Sequence, residues 1–193
     1  VEAWCPRTCP PSSVQGYGLD RLRDRGARHM TTAPIIDRLR AAVSDAGDIV
    51  QAAPDGLRPA SVLLLCDPTT PGVPLLFVLR SEELRQHPGQ IEFPGGGAET
   101  FDDGVVATAL REASEELGIP PEQVEVLGVL SPFSTVVSGR WLTPVVGVQC
   151  APIDLRTDGF EIVEWFRIDI ADLMVAPHTV REIERNGMRG RVH

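Results

Sequence analysis

The chain contains no lysine: all 18 of its basic residues are arginine. That absence reads as a coding bias rather than a mechanism. The basic residues are also outnumbered by 27 acidic ones, and the formal net charge is -9. A general nucleic-acid binder needs a basic footprint, so that class is disfavoured. A small phosphorylated substrate held by a few local arginines is not. No apolar run reaches the roughly 18 residues needed to cross a bilayer, so no membrane span is expected. The first 30 residues hold no apolar core of a signal peptide, so a secretory leader is not expected either. Cysteine is scarce, with Cys5, Cys9, Cys66 and Cys150 only. Cys5 and Cys9 lack the nearby His or Cys that a zinc site requires. Cys66 and Cys150 lie in apolar, strand-like runs and are expected as buried thiols. A reducing, cytoplasmic setting is the simplest reading.

What is present is enough for one domain. Apolar residues make up 42% of 193 positions, with extra sequence at the ends. Residues 1–30 carry Pro-rich and Arg-rich stretches without periodicity, and disorder is expected there. From Pro34, residues Ile35, Ile36, Leu39, Ala42 and Val43 share one helical face. Ser61–Cys66 and Leu75–Arg80 read as strands around a Pro/Gly turn. Ser81–Ile91 reads as irregular, and Phe93–Gly97 as a loop. Asp102–Leu117 reads as a helix stopped by Gly118. Val124–Leu130, Leu142–Gln149 and Glu161–Ile168 are strand candidates, and Ile170–Met174 and Thr179–Arg185 short-helix candidates. There is no internal repeat. Mixed strands around one long helix predict an α/β or α+β layered domain.

The long helix carries an unusual charge pattern. Val106, Leu110, Ala113 and Leu117 recur on a core-facing side. Glu112, Glu115 and Glu116 stand at i, i+3 and i+4, so they crowd another face. They do so in the last turns, where the helix dipole disfavours each carboxylate by about 0.3–1 kcal/mol. A like-charged pair at 4 Å near a protein surface costs roughly 4 kcal/mol. Arg111 can pair with Glu115 but cannot neutralise three carboxylates. A divalent cation can, because clustered carboxylates are hard oxygen ligands suited to Mg²⁺ or Mn²⁺. An acidic, solvated face is the ordinary alternative, and the spacing alone does not separate the two. Gly95, Gly96 and Gly97, just before the helix, add a loop whose backbone can approach a phosphate or a cation closely.

Together these pieces resemble the Nudix box, G-x5-E-x7-R-E-U-x-E-E-x-G-U, where U is a bulky apolar residue. Arg111–Ile119 follows its right half, with Ala113 smaller than usual. The left half departs from it. Counting back from Arg111 puts the acidic position at Asp103 and the glycine at Gly97. Counting forward from Gly96 puts the acid at Asp102. The position stays open between the two, and both are Asp where Glu is usual. Upstream, Leu76–Ser81, Arg85, Gly89 and Phe93–Gly96 resemble the signature of coenzyme A pyrophosphatases, with Phe77 where Leu is usual. His87 and Gln90 also suit that subgroup. The similarity covers about residues 60–175.

The resemblance implies a mixed β-sheet sandwiched between helices in αβα layers, and a metal-dependent diphosphatase. Glu112, Glu115 and Glu116 would hold Mg²⁺ or Mn²⁺ with the Gly95 carbonyl, and Arg111 would orient a glutamate, most naturally Glu115. Asp102 or Asp103 would complete the box. Arg80 and Arg85 would contact substrate with Gly95, Gly96 and Gly97, unless they pair with Glu82, Glu83 or Glu92. Coenzyme A or an acyl-CoA would yield 3′,5′-ADP and (acyl-)4′-phosphopantetheine. The general base stays open among Glu116, Asp158, Glu161 and Glu164. His87 is more readily a surface or structural residue than a base. Ser131–Trp141 could close over the substrate, with Phe133 and Trp141 stacking on a base, although aromatic residues at strand ends are more often core. Residues 31–193 would form the domain, ending short of the strand and helix that usually close it. A homodimer is left open. Another nucleoside diphosphate derivative, such as NADH or ADP-ribose, is the rival substrate. A non-catalytic nucleotide sensor is the rival class, and it predicts loss of glutamates that are all present here.

Overall fold

The computed structural model describes residues 32–45, 53–135, 138–176, 181–185 and 188–192. The expectations for residues 1–30, Cys5 and Cys9 among them, lie outside these. The centre of the fold is a parallel pair, β1 (Arg58–Cys66) and β7 (Arg140–Gln149), in register from Arg58↔Arg140 to Cys66↔Val148. Around it the other strands pair antiparallel. β2 (Leu75–Arg80) lies on β1, and both β3 (Ile91–Glu92) and β8 (Ile162–Ile168) lie on β2. β4 (Gly95–Gly97) also pairs with β1, while β5 (Val124–Val129) and β6 (Phe133–Ser134) pair with β7. The result is a mixed, eight-stranded sheet of an α+β domain.

Strand alternation builds the layers. Successive side chains of a strand point to opposite faces. Leu63, Leu65, Leu76, Val78 and Val145 therefore share one face, where Ala109, Ala113 and Leu117 of helix α2 (Gly104–Leu117) cover them. Cys66, Leu75 and Val148 face the other way, against Ile35, Ile36 and Leu39 of α1 (Thr32–Ala42) and Ile170 of α3 (Ile170–Val175). Each fully buried Leu contributes about 1.5–3 kcal/mol. The two clusters make the sheet the middle of an αβα arrangement. Among the described residues no helix is long and apolar enough to cross a membrane.

Helix α2 ends as the sequence suggests. Gly118 adopts the left-handed conformation (φ 66°) and its N–H donates to the Ser114 carbonyl. The following loop supplies two more donors. The N–H groups of Arg156 and Asp158 reach the carbonyls of Leu117 and Glu116 at 3.0 and 3.1 Å. Orphan carbonyls of the last turn are thus satisfied by a segment from far along the chain.

Four expectations need correcting. Gly95–Gly97 is a short strand and not a loop, because residues without Cβ can lie close against β1. Ile91 belongs to a strand, paired with Leu79, rather than to an irregular segment. Cys150 is exposed, since it follows the last residue of β7 and its N–H turns to the Gln123 carbonyl. Arg181–Arg185 is strand β9, paired with β10 (Met188–Val192), where a helix was expected over Thr179–Arg185. So short a helix is unstable alone, whereas a second strand offers a full ladder of backbone partners.

Candidate active site

The glycine strand lies between β1 and the acidic helix. The Gly95 N–H donates to Glu116 Oε2 at 3.1 Å. A Cβ at Gly95 would strike the carbonyl oxygen of Ser61. Alternation then sends the next two positions to opposite faces. A Cβ at Gly96 would lie 2.6–2.7 Å from the carboxylate of Glu112, and one at Gly97 would lie 2.5 Å from Nη1 of Arg140. Three glycines in a row therefore let a strand edge thread between a carboxylate and a guanidinium. Gly96→Ala is expected to push the Glu112 carboxylate aside and lower turnover about 10²-fold, as an ångström-scale misplacement does. The melting temperature should change little, because only the end of a flexible side chain must move. A steady-state assay beside a thermal melt checks this.

Arg111 organises one side of the site. Its Nε and Nη2 donate to Oδ1 and Oδ2 of Asp102 at 2.9 and 3.1 Å. Nη2 also donates to the Gly97 carbonyl at 2.8 Å and lies 3.0 Å from Glu112 Oε1, while Nη1 reaches Glu115 Oε2 at 3.1 Å. Asp102 stands outside the helix, held by the N–H of Glu99 and the hydroxyl of Thr108. The Arg111 guanidinium above all, with those two donors, holds its carboxyl down at about 2. Asp103 precedes the helix and makes no side-chain cap. Geometrically, then, it is Asp102 that joins Arg111.

A second cluster faces the first. Arg80 pairs with Glu92 at 2.8 Å and with Glu161 at 2.7 Å, the carboxylate pairing that the sequence held as the alternative to phosphate contact. Glu116 is only 5% exposed. Burial pushes its carboxyl up to about 8, against the pull of the Gly95 N–H and with further repulsion from Glu92, Glu112 and Glu161. Burial likewise raises Glu112 and Glu92, although the cations Arg111 and Arg80 oppose it. Four carboxylates thus influence one another with Arg80 and Arg111 between them.

This donor set fits a divalent cation by its chemistry: hard oxygens, and a buried carboxylate short of counter-charge. Among the described residues no three acidic, His or Cys side chains stand close enough to enclose an ion as they are. Glu115 is turned outward to Arg111, with its side chain 60% exposed.

The remaining candidates fall into place one by one. The Asp158 carboxylate accepts from the N–H groups of Phe160, Glu161 and Ile162, a turn-forming role. Glu164 pairs across the strands with Leu79, on the sheet face away from Val78 and α2. Glu161 is the one of the later acids beside the cluster. Arg85 is exposed and meets no carboxylate among the described residues. His87 has a positive φ of 53° and its Nδ1 contacts Gln90 Oε1 at 2.8 Å. Within Ser131–Trp141, Phe133 and Ser134 pair with Leu142 and Trp141. Phe133 is 49% exposed, and Trp141 Nε1 is buried without a partner. Sequence reasoning missed Glu92 as a site residue. Its signal was a lone acid between Ile91 and Phe93, directly before the glycines.

The comparisons with known proteins bear on this arrangement. A model of the NUDIX domain matches residues 56–189. A protein of Pectobacterium atrosepticum named "Uncharacterized Nudix hydrolase NudL" is 42% identical over 149 residues, covering 72% of this chain and 76% of that one. Its namesake from Photorhabdus laumondii is 38% identical, over 72% and 74%. Among solved structures, an Ap4A hydrolase binary complex from C. elegans shares the fold with a TM-score of 0.52 at 18% identity, over 60% of this chain and 83% of that one. The MutT protein of Methanosarcina mazei does so with a TM-score of 0.51 at 16% identity, over 65% and 86%.

Proposed function

We propose that this chain, which belongs to the Nudix hydrolase family, cleaves the diphosphate of coenzyme A or an acyl-CoA to 3′,5′-ADP and (acyl-)4′-phosphopantetheine. That it is a hydrolase of diphosphate bonds follows from the family; the substrate is our reading. The observation that carries it is the segment Leu76–Gly96. Its residues resemble the coenzyme A signature, and in the fold they carry the Arg80–Glu92 pair and run into the glycine strand. Phe93 stacks on Phe77 at 4.7 Å, and Phe77 on Phe166 at 5.7 Å. The Pro94 carbonyl accepts from the Leu63 N–H, and the Ser81 N–H reaches the Glu161 carbonyl. The signature thereby fixes Glu92, the glycine strand and Glu161 as one unit.

Nudix hydrolases use divalent cations, and we assign Mg²⁺ or Mn²⁺ to Glu112, Glu115 and Glu116, with the Gly95 carbonyl. When bound, such ions polarise the diphosphate and activate the attacking water. The chain's own residues do the rest. Arg111 fixes Glu112 and Glu115 against Asp102. Arg80 orients Glu161, the later acid placed to take the proton from water. Gly95 and Gly96 let the strand pack between β1 and Glu112, and the exposed Arg85 offers a guanidinium to the diphosphate.

The test is incubation with coenzyme A and Mg²⁺ or Mn²⁺, with products followed by chromatography. Cation-dependent appearance of 3′,5′-ADP and 4′-phosphopantetheine is expected. Turnover of NADH or ADP-ribose, with coenzyme A left intact by well-folded protein, would overturn the substrate assignment.

A further inference from the structure

The arginines near the glycine strand differ in how they are used. Arg80 is held by two carboxylates and Arg111 by three plus a carbonyl. Neither has charge to spare for a large anion. Arg140 and Arg58 do. They are direct partners across the parallel β1–β7 ladder, so their side chains rise from the same face of the sheet. Neither forms an ion pair with any described residue, although like charges placed directly across a ladder destabilise it. The backbone of Arg140 is also fixed. Its N–H donates to the Thr135 hydroxyl at 3.0 Å, and its carbonyl accepts from the Thr135 N–H at 2.9 Å. The Arg58 N–H meets the carbonyl of Gly139 next door at 3.2 Å. The guanidinium of Arg140 lies against Gly97, where an added Cβ would stand 2.5 Å from Nη1 and push it aside. Two unpaired cations on a rigid strand end, at a position cleared by a glycine, form an incomplete charge group.

We propose that Arg58 and Arg140 bind a phosphomonoester carried by the substrate, separate from the diphosphate that is cleaved. This rests on the function proposed above, since coenzyme A bears a 3′-phosphate besides its diphosphate. The geometry suits it. Gly96 faces the carboxylates and Gly97 faces Arg140, so the two sites lie on opposite sides of one thin glycine strand. The diphosphate belongs to the first side and the monoester to the second. Arg58 and Arg140 then select for substrates with the extra phosphate and need take no part in the chemistry.

Direct binding tests this without relying on turnover. Calorimetry would compare adenosine 3′,5′-bisphosphate with adenosine 5′-monophosphate on the full chain, on Arg140→Gln and on Arg58→Gln. The bisphosphate is expected to bind the unaltered protein about 10- to 100-fold more tightly. Each substitution should erase most of that difference, leave the melting temperature the same or slightly higher, and weaken the salt dependence of binding. Equal binding of the two nucleotides by the unaltered protein overturns the proposal. So does a preference that survives both substitutions. If the preference is present and arginine-dependent while coenzyme A is not hydrolysed, the phosphate site stands and the proposed reaction falls. If coenzyme A is hydrolysed with no preference, the reverse holds.

Discussion

Replacing Glu116 by Gln is expected to lower cation-dependent turnover about 10²- to 10⁴-fold, since several kcal/mol of transition-state stabilisation depend on the bound ions. The same change should make the cation-free protein more stable at high pH. The sign follows from burial. The Glu116 carboxyl is pushed up to about 8 in the fold, from an ordinary 4.5. A group raised in this way favours the folded state below its unfolded value, and that advantage is lost as pH climbs through about 8. Above pH 8 the unaltered protein holds an ionised, buried carboxylate beside three others, a burden on the order of a few kcal/mol. Gln carries no such charge. The variant should therefore melt roughly 5–15 °C higher than the unaltered chain at pH 9, and close to it at pH 5. Adding Mg²⁺ or Mn²⁺ should narrow the gap at pH 9 by stabilising only the unaltered protein. A melting difference that stays flat from pH 5 to 9 would remove Glu116 as the buried, cation-seeking group.

Arg111→Ala should act in the opposite sense on stability. It strips the partner from Asp102, whose side chain is 4% exposed, and from Glu112, while leaving both in place. Breaking a buried pair on one side costs about 3–5 kcal/mol, because a charge is left uncompensated. The melting temperature should fall by roughly 10 °C. The pH dependence also changes. Asp102 is held at about 2, chiefly by Arg111, so its contribution is present above the ordinary carboxylate value of 3.8 and vanishes as pH falls toward 2. Without Arg111, most of that contribution is absent at every pH. The variant should then lose little further stability between pH 4 and 2, where the unaltered chain loses more. Parallel acid titrations followed by circular dichroism would measure this. Activity should drop along with stability, because Glu112 and Glu115 lose their common anchor. An Asp102→Asn change, which keeps Arg111, should cost less.

Much of this arrangement was legible from residue patterns. The i, i+3, i+4 glutamates, the Arg111 next to them and the glycine run each had a physical oddity that marked them. Gly118 as the helix stop followed from backbone chemistry alone. Other parts were hidden for definite reasons. The choice between Asp102 and Asp103 turned on a loop conformation, since the Glu99 N–H and Thr108 draw Asp102 back toward Arg111. The pairing of Arg80 with Glu161 joins residues far apart in sequence, and no local spacing announces it. The adjacency of Arg58 and Arg140 depends on the register of a parallel ladder, which is invisible until the two strands meet. Glu92 looked like an ordinary partner for Arg80 because its nearness to Glu116 depends on the β2–β3 hairpin. The short strand of Arg181–Arg185 competed with a helix reading that the seven residues Thr179–Arg185 could not sustain.

The parallel β1–β7 ladder also sets when this site can exist. A parallel pair cannot be closed by a tight turn, and its contacts join two distant parts of the chain, so such pairings form slowly. Arg111 counters the crowded acids from within their own helix, but the glycine strand beside them depends on β1. The glycine strand needs β1 to lie against, and Arg140 needs β7 to meet Gly97. A partly folded chain would carry the acidic helix with its charges exposed to water, where repulsion is weak. The burial that gives Glu116 its character needs the glycine strand seated on β1, so it comes with tertiary packing and not with the acidic helix alone.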